Sequence, residues 1–172
     1  MDGDFIAIHD TQSQHGKGYF DMDGLEAARQ FTAAVPFARI LGVEFQEVGA
    51  ERVVATMPYV MDRTNHVHTV HAAAEFGLGE SATGVLVFFA FQEALAQGYI
   101  PVVANASIGY KRPAPGDLRA EATLTAEARS AALATLASDG QARVTVPVTI
   151  SNPDGKNACE MTTEWALIKP RA

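Results

Sequence analysis

Cysteine is nearly absent from this sequence of 172 residues, since Cys159 is the only one. One cysteine cannot form a disulfide within the chain, so the sequence gives no support for a small secreted domain held together by cross-links. A chain of this length buries about 70% of its unfolded surface on folding. We therefore expect one domain whose stability needs neither a disulfide nor a metal ion.

Basic residues are scarce as well. Thirteen Lys and Arg stand against twenty Asp and Glu, which gives a formal net charge of −7. A surface that binds nucleic acid normally carries an excess of positive charge, so we expect no nucleic-acid partner. Hydrophobic residues make up 48% and charged residues 19% of the chain, and this balance is typical of globular rather than disordered proteins.

Long apolar runs are also missing. The most apolar stretch covers only residues 85–91, and Glu80 and two glycines precede it, so we expect it to be too short and too interrupted to span a bilayer. Residues 1–10 contain neither the basic nor the apolar region of a secretion signal. These patterns predict a cytoplasmic protein with no membrane partner.

What the sequence does contain is a helical segment followed by strands. Apolar residues at spacings of three and four predict a helix from residue 23 to 35, where Pro36 forces an end or a kink. Alternating or β-branched segments predict six strands, at residues 43–48, 52–59, 101–110, 118–128, 141–150 and 157–169. Pro147 lies inside one of them, and we expect an edge position or a bulge there because proline lacks a backbone donor.

Residues 71–97 lack proline and are apolar on nearly every side, which predicts one long buried helix. Hairpin turns between the late strands favour an antiparallel sheet with one covered face. The expected fold class is α+β, with an antiparallel six-stranded sheet wrapped around one long central helix and an additional N-terminal helix. We expect residues 1–20 to form a tail and residues 21–172 to form the single domain.

Glu80 is the strongest candidate for chemistry, because it lies within the apolar helix. A buried carboxylate costs several kcal/mol unless it is paired or protonated. One interpretation is therefore a general base or nucleophile whose pKa is tuned by its surroundings. The other is a side chain that reaches solvent or a subunit interface and pairs with a basic residue.

Glu75 is a second acid in the same helix. Five residues correspond to about 500° of helix rotation, so Glu75 points roughly 140° away from Glu80 and the two cannot share a face. Glu75 follows His71 by one helical turn, and we expect this pair to stabilise the helix start without a chemical role.

Other chemical signatures are weak. His66, His68 and His71 could approach a common point, but such clusters are more often incidental, so we expect no metal ion and no other cofactor. Phosphate-binding glycine motifs and the GxSxG nucleophile motif do not occur. Cys159 lies in a predicted strand, where an inert thiol is expected.

Two segments resemble a known family. Asn65, Thr69 and His71 with two following alanines, then Leu78 and Glu80, are similar to the N-x-x-G-T-x-H-G-G-x-x-x-x-L-x-D/E motif of hotdog-fold thioesterases. Residues 107–118, SIGYKRPAPGDL, resemble the strand written I-x-Y/F-x-R-P-A-x-x-G-D in the same group. The group is the 4-hydroxybenzoyl-CoA thioesterase superfamily with its phenylacetate-degradation branch. His68 stands where the motif has a glycine, and Ala72 and Ala73 replace two more.

The resemblance implies a hotdog domain that hydrolyses an acyl-CoA. By position, Glu80 matches the acid that activates water or attacks the thioester, and Asn65 matches the residue that orients the water or the thioester. His71 would lie near the carbonyl, while the backbone N–H groups of Ala72 and Ala73 would form the oxyanion site. The CoA phosphates would need cations, and Lys111 and Arg112 are the nearest ones; their other interpretation is a pair of exposed strand-end charges.

The resemblance also implies homo-oligomers. Members of the group dimerise by pairing their sheets edge to edge, many dimers pair again into tetramers, and the active sites lie between subunits.

Two other functions compete with thioester hydrolysis. A hydratase on this fold would carry a D-x-N-P-I/V-H run, which this sequence lacks. A module that binds acyl-CoA or another small ligand without turnover is the main alternative.

Overall fold

The computed structural model describes residues 23–170. In chain order its elements are α1 (Gly24–Ala34), α2 (Pro36–Leu41), β1 (Glu44–Val48), β2 (Arg52–Met57), α3 (Ala72–Ala90), α4 (Gln92–Ala96), β3 (Ile100–Tyr110), β4 (Leu118–Thr123), α5 (Ala126–Asp139), β5 (Ala142–Ser151) and β6 (Asn157–Ile168). All six strands and the N-terminal helix occur in the predicted segments, although β4 ends at Thr123, before the predicted end at residue 128. The tail predicted over residues 1–20 lies outside the described residues.

The six strands form one sheet in the order β1-β2-β4-β5-β6-β3, and every neighbouring pair is antiparallel. Side chains alternate between the two faces, as the two-residue repeat of a strand requires. In β5 every second residue is buried, from Ala142 to Ile150. The buried face curves around α3, which contacts each of the six strands. The α+β fold class, with one sheet wrapped around a central helix, is therefore confirmed.

Pro147 lies where the sheet tolerates it. Strand β4 pairs with β5 from Val148 to Ser151, so Pro147 is one residue beyond that pairing. On its other side it lies opposite Thr162 of β6. The missing N–H therefore costs no bond to β4. The structure shows neither the edge strand nor the bulge predicted here, because β5 lies inside the sheet and Pro147 is only locally unpaired on its β4 side.

The central helix α3 begins at Ala72 and ends at Ala90, earlier than the predicted end at residue 97. Phe91 leaves the helical conformation, with φ −120° and ψ 22°, and the short helix α4 follows. Arg129 of α5 donates from Nε to the carbonyl oxygen of Ala90 over 2.7 Å. This bond satisfies one of the carbonyl groups that the end of a helix leaves without a partner.

Glycines let α3 lie close to its neighbours. A Cβ atom on Gly79 would lie 2.7 Å from the Met161 sulfur in β6, and one on Gly77 would lie 2.5 Å from Leu41 of α2.

By length and composition α3 could also cross a membrane, since it has 19 residues and a mean hydropathy of 1.2, contrary to the expectation from residues 85–91 alone. In the fold 67% of the apolar 18-residue window of this helix is buried, as is usual for a core helix.

Helix α5 was not expected from the sequence. The interpretation of residues 118–128 as one strand was wrong beyond Thr123, and no element was predicted up to residue 140. Thr125 is the N-cap and accepts a hydrogen bond from the Ala128 N–H, and Gly140 ends the helix with φ 70°. A capping threonine, a run of alanines and a terminal glycine are the signals that could have identified it.

The loop between β2 and α3 is held by the side chain of Asn65. Its Oδ1 accepts hydrogen bonds from the N–H groups of Val67 and Thr69, and its Nδ2 donates to Thr69 Oγ1 over 2.8 Å. A longer bond of 3.4 Å runs from Nδ2 to the Val70 carbonyl oxygen. Asn65 thus spans the turn and fixes the residues that lead into α3.

His68 occupies a strained position in this turn. Its φ is 57°, and among residues 23–170 it is the one non-glycine residue with a positive φ. This is the left-handed region, which glycine adopts without steric cost and other residues adopt with difficulty. Glycine, which the motif that this loop resembles has at this position, would adopt this conformation without strain.

We predict that His68→Gly stabilises the protein by about 0.5–1 kcal/mol, because relief of left-handed strain exceeds the added entropy of the unfolded chain. Urea unfolding at fixed protein concentration measures the change. His68→Ala is the matched control, since it removes the imidazole but keeps a Cβ atom in the strained conformation. An equal gain in both variants would show that the imidazole, and not the backbone, carries the cost.

Candidate active site

Glu80 lies in the middle of α3, and its side chain lines a cavity between α3 and the N-terminal helices. The residue is half-buried, and no described residue donates a hydrogen bond to its carboxylate or forms an ion pair with it. Burial raises the pKa of Glu80 above its ordinary value of 4.5. The side chain is thus an unpaired acid in apolar surroundings, which favours a chemical role over a structural one.

The cavity beside Glu80 has a volume of about 240 Å³. It lies between α1, α2, α3, the start of β3 and the end of β6, and its lining is largely aromatic and aliphatic: Phe31, Val35, Phe37, Ala38, Glu80, Ser81, Gly84, Phe88, Pro101 and Trp165. Ser81 Oγ donates to the Gly77 carbonyl oxygen over 2.7 Å, so that hydroxyl is already engaged. Glu80 therefore supplies the reactive polar group of this cavity.

His71 is the N-cap of α3. Its Nδ1 accepts a hydrogen bond from the Ala73 N–H over 3.0 Å. Of the two N–H groups predicted to bind an oxyanion, the one of Ala73 is thus occupied by the imidazole. The Ala72 N–H has no partner among residues 23–170, and Ala72 is exposed at the positive end of the helix.

Asn65 does not reach toward a substrate in this conformation. Both its amide oxygen and its amide nitrogen are engaged inside the loop before α3. The structure therefore supports the turn-holding role of Asn65, and its orientation of a water or a thioester stays a prediction. Through the loop, Asn65 fixes the position of His71 and the start of α3.

Lys111 and Arg112 follow the end of β3 and lie near the start of α3. The link is Tyr110, whose hydroxyl donates to the Ala72 carbonyl oxygen over 3.0 Å. Lys111 Nζ forms an exposed ion pair with Glu160 over 3.0 Å. The Arg112 side chain is exposed and has no ion pair among the described residues. Positive charge and the open Ala72 N–H therefore occur at the same end of the helix.

Glu80 and the start of α3 do not meet within one chain. Eight residues separate Ala72 from Glu80, which corresponds to about 12 Å along the helix axis. A base and an oxyanion donor that act on one carbonyl must both lie within about 3 Å of the reacting atoms. Within a single chain these two candidate groups are therefore separated along the helix.

The predicted pairing of Glu75 with His71 is wrong. The Glu75 residue is only 4% exposed, and its carboxyl contacts the thiol of Cys159 in β6. One carboxyl oxygen, Oε2, is buried without a hydrogen-bond partner. Burial raises the pKa of Glu75, and burial together with the Glu75 carboxyl raises the pKa of Cys159 well above its usual range. The inert Cys159 expected from the sequence fits these surroundings.

The histidines of the loop do not converge. His66 and His68 are exposed, and His71 caps the helix. Within residues 23–170, no three His, Cys, Asp or Glu side chains lie close enough together to hold a metal ion.

Sequence reasoning missed most of the cavity. Of the phenylalanines in the predicted helix over residues 71–97, Phe88 lines the cavity while Phe91 is buried in the core. The sequence patterns did not indicate Phe31, Gly84 or Trp165 as cavity residues. A glycine inside an apolar helix is a costly choice, and Gly84 was the signal available, since a Cβ there would lie 3.1 Å from Trp165.

Solved structures of other proteins share this architecture. PA5026 of Pseudomonas aeruginosa, a protein of unknown function described as a probable thioesterase, is 25% identical with a TM-score of 0.75, covering 84% of this chain and 95% of its own. Thioesterase HI1161 of Haemophilus influenzae is 18% identical with a TM-score of 0.67, and 86% and 92% of the chains are covered.

PaaI of E. coli, from the phenylacetic acid degradation operon, is 17% identical with a TM-score of 0.63, covering 84% of this chain and 93% of that one. A search of the curated proteins gave no match. Residues 26–167 match the model of a family described as a domain of unknown function, DUF4442. The chain therefore belongs to the DUF4442 family, and its fold is that of the hotdog thioesterase superfamily.

Proposed function

We propose that the protein is an acyl-CoA thioesterase in which Glu80 acts as general base or nucleophile. The observation that carries this proposal is the unpaired Glu80 carboxylate in the wall of an apolar cavity. A base works best when its pKa lies near the working pH, and the burial of Glu80 shifts its pKa in that direction. The thioesterase descriptions of PA5026 and HI1161 support the same reaction class.

The reaction needs few groups. With Glu80 as base, its carboxylate takes a proton from water while the water oxygen forms a bond to the thioester carbonyl carbon. The carbonyl oxygen gains negative charge, which the Ala72 N–H and the positive end of α3 stabilise. Collapse of this intermediate breaks the C–S bond, the proton held by Glu80 passes to the departing sulfur, and the CoA thiol and a carboxylic acid are released. Lys111 and Arg112 would hold the CoA phosphates near the same helix end.

The 12 Å separation between Glu80 and Ala72 leads to a shared site. We infer that Glu80 of one protomer acts on a carbonyl held at the start of α3 of the other. Strand β3 is the sheet edge where two copies would pair, because it is 11 residues long and mostly exposed, including Val102, Val103 and Tyr110. An exposed apolar edge strand favours pairing with another strand. A homodimer is thus the minimal active unit, and a dimer of dimers keeps the same site.

We expect Glu80→Gln to lower kcat for acyl-CoA hydrolysis by about 10³-fold, within the range for loss of a general base. Thiol release from a panel of short, long and aromatic acyl-CoAs measures it, with size-exclusion mass as the check on assembly. Glu75→Gln is the matched control, since it makes the same change five residues away on another face of α3, and should keep kcat within about threefold. Equal activity of wild type and Glu80→Gln would contradict the proposal. Folded oligomers that bind acyl-CoA without turnover would identify a binding module.

The same substitution should stabilise the fold at high pH. Because the pKa of Glu80 is raised in the folded state, the folded protein binds more protons than the unfolded chain above about pH 4.5. Stability should fall as pH rises from there through the folded pKa, and Glu80→Gln should remove that loss. We expect a higher urea midpoint for Glu80→Gln at pH 8, with the difference shrinking toward pH 4.5. A stability gain combined with a loss of activity would distinguish a functional carboxylate from a structural one.

A shared site predicts complementation between two inactive variants. Ala72→Pro removes the Ala72 N–H at the first helical position, where proline is tolerated, and His71 already has the extended ψ of 139° that a residue before proline needs. Co-expressed with Glu80→Gln, it should restore about a quarter of wild-type activity, because half of the dimers are mixed and each has one intact site. Ala72→Gly keeps the N–H and is the control. Activity no higher than that of the single variants would place both groups in one chain.

A further inference from the structure

The cavity beside Glu80 is lined in part by the N-terminal helices. Phe31 of α1 and Phe37 of α2 contribute to its lining, together with Gly84, Phe88 and Trp165. The lining thus includes a segment outside both motifs of the family resemblance, which begin at Asn65.

Trp165 gives the cavity a fixed inner end. Its Nε1 donates to Thr163 Oγ1 over 3.0 Å and to Thr83 Oγ1 over 3.2 Å, and both bonds are buried. The edge of the indole faces Gly84, where a Cβ atom would lie 3.1 Å from Trp165 Cη2 and 3.9 Å from Phe31 Cζ. Any side chain at position 84 would therefore fill space between Trp165 and Phe31.

The volume of the cavity sets the size of what fits. A cavity of about 150 Å³ lined by apolar side chains holds one benzene molecule, so a volume of about 240 Å³ has room for roughly eight to ten carbon atoms. Its single reactive polar group is the Glu80 carboxylate, and apart from Ser81, whose hydroxyl is bonded to Gly77, the remaining lining residues are apolar. The chemistry that fits is a medium-length apolar chain whose carbonyl end lies at Glu80.

We propose that this cavity binds the acyl group of the substrate, that it selects acyl chains of about eight carbons, and that Phe31 and Gly84 set the length. The assignment rests on the proposed thioesterase function, since it treats Glu80 as the reacting group. Chains much longer than the cavity have to leave it or displace α1, and much shorter chains leave apolar surface uncovered, so both lose binding energy.

Chain-length profiles test the length assignment. For wild type we expect kcat/KM to be highest near octanoyl-CoA and lower for butanoyl- and palmitoyl-CoA. Phe31→Ala should raise the ratio of dodecanoyl- to octanoyl-CoA hydrolysis by about tenfold, and Gly84→Ala should shift the preference toward shorter chains. Leu25→Ala is the matched control, because Leu25 is a half-buried residue of α1 outside the cavity, and it should leave the profile unchanged.

A binding experiment that needs no turnover keeps the two proposals separable. Trp165 is the sole tryptophan of the chain, so intrinsic fluorescence reports on the inner end of the cavity directly. In the Glu80→Gln variant, octanoyl-CoA should produce a saturable change in Trp165 emission, while CoA without an acyl group should produce none. Adding Phe31→Ala should extend the response to dodecanoyl-CoA.

Each outcome then bears on one proposal. Glu80-dependent hydrolysis with the same chain-length profile in Phe31→Ala and Leu25→Ala would overturn the cavity assignment and leave the thioesterase proposal standing. A chain-length-dependent response of Trp165 without any hydrolysis would support the cavity and contradict the thioesterase proposal. The absence of a Trp165 response to octanoyl-CoA would overturn the cavity assignment.

Discussion

The fold depends on covering a helix that has no polar face. Thirteen of the 19 residues of α3 are buried, and one sheet can cover such a helix only by curving around it. The helix packs closely against its neighbours because Gly77 and Gly79 leave room for Leu41 of α2 and Met161 of β6. Removing apolar surface from water is the main favourable contribution to folding, and the positions of Glu80 and of the Ala72 N–H follow from their places along α3.

The two acidic residues of α3, Glu75 and Glu80, are exceptions in this apolar helix, and burying their carboxyl groups costs stability. Glu75 contacts the Cys159 thiol, and one of its carboxyl oxygens is buried without a hydrogen-bond partner. Glu80 is less buried but has no bonding partner in the described part of the chain, and it faces a cavity rather than the sheet. An unpaired acid that lines a cavity and that packing does not require is the kind of group expected at a functional site, and the thioesterase proposal rests on it.

Much of the fold could be predicted from the sequence, since the two-residue repeat of β5 and the apolar character of residues 71–97 are strong local patterns. The length of α3 could not, because its end depends on Arg129 from a distant helix as well as on Phe91. Glu80 could be identified as an acid within the apolar helix, but the burial of Glu75 could not, since that depends on where β6 places Cys159. The cavity could not be predicted from local sequence patterns, because only the tertiary fold brings Phe31, Gly84 and Trp165 together.

The start of α3 carries two demands that compete. A stable helix end needs its N–H groups bonded, and His71 satisfies the one of Ala73, whereas an oxyanion site needs N–H groups left open for the substrate. In the structure the Ala73 N–H is bonded to the capping histidine, whereas the Ala72 N–H is left open near Tyr110 and the basic residues. In the thioesterase that we propose, an oxyanion would replace the His71 imidazole as the acceptor of the Ala73 N–H, since charged acceptors form the stronger hydrogen bonds. The cap would then serve as the resting partner of a donor that the transition state recruits.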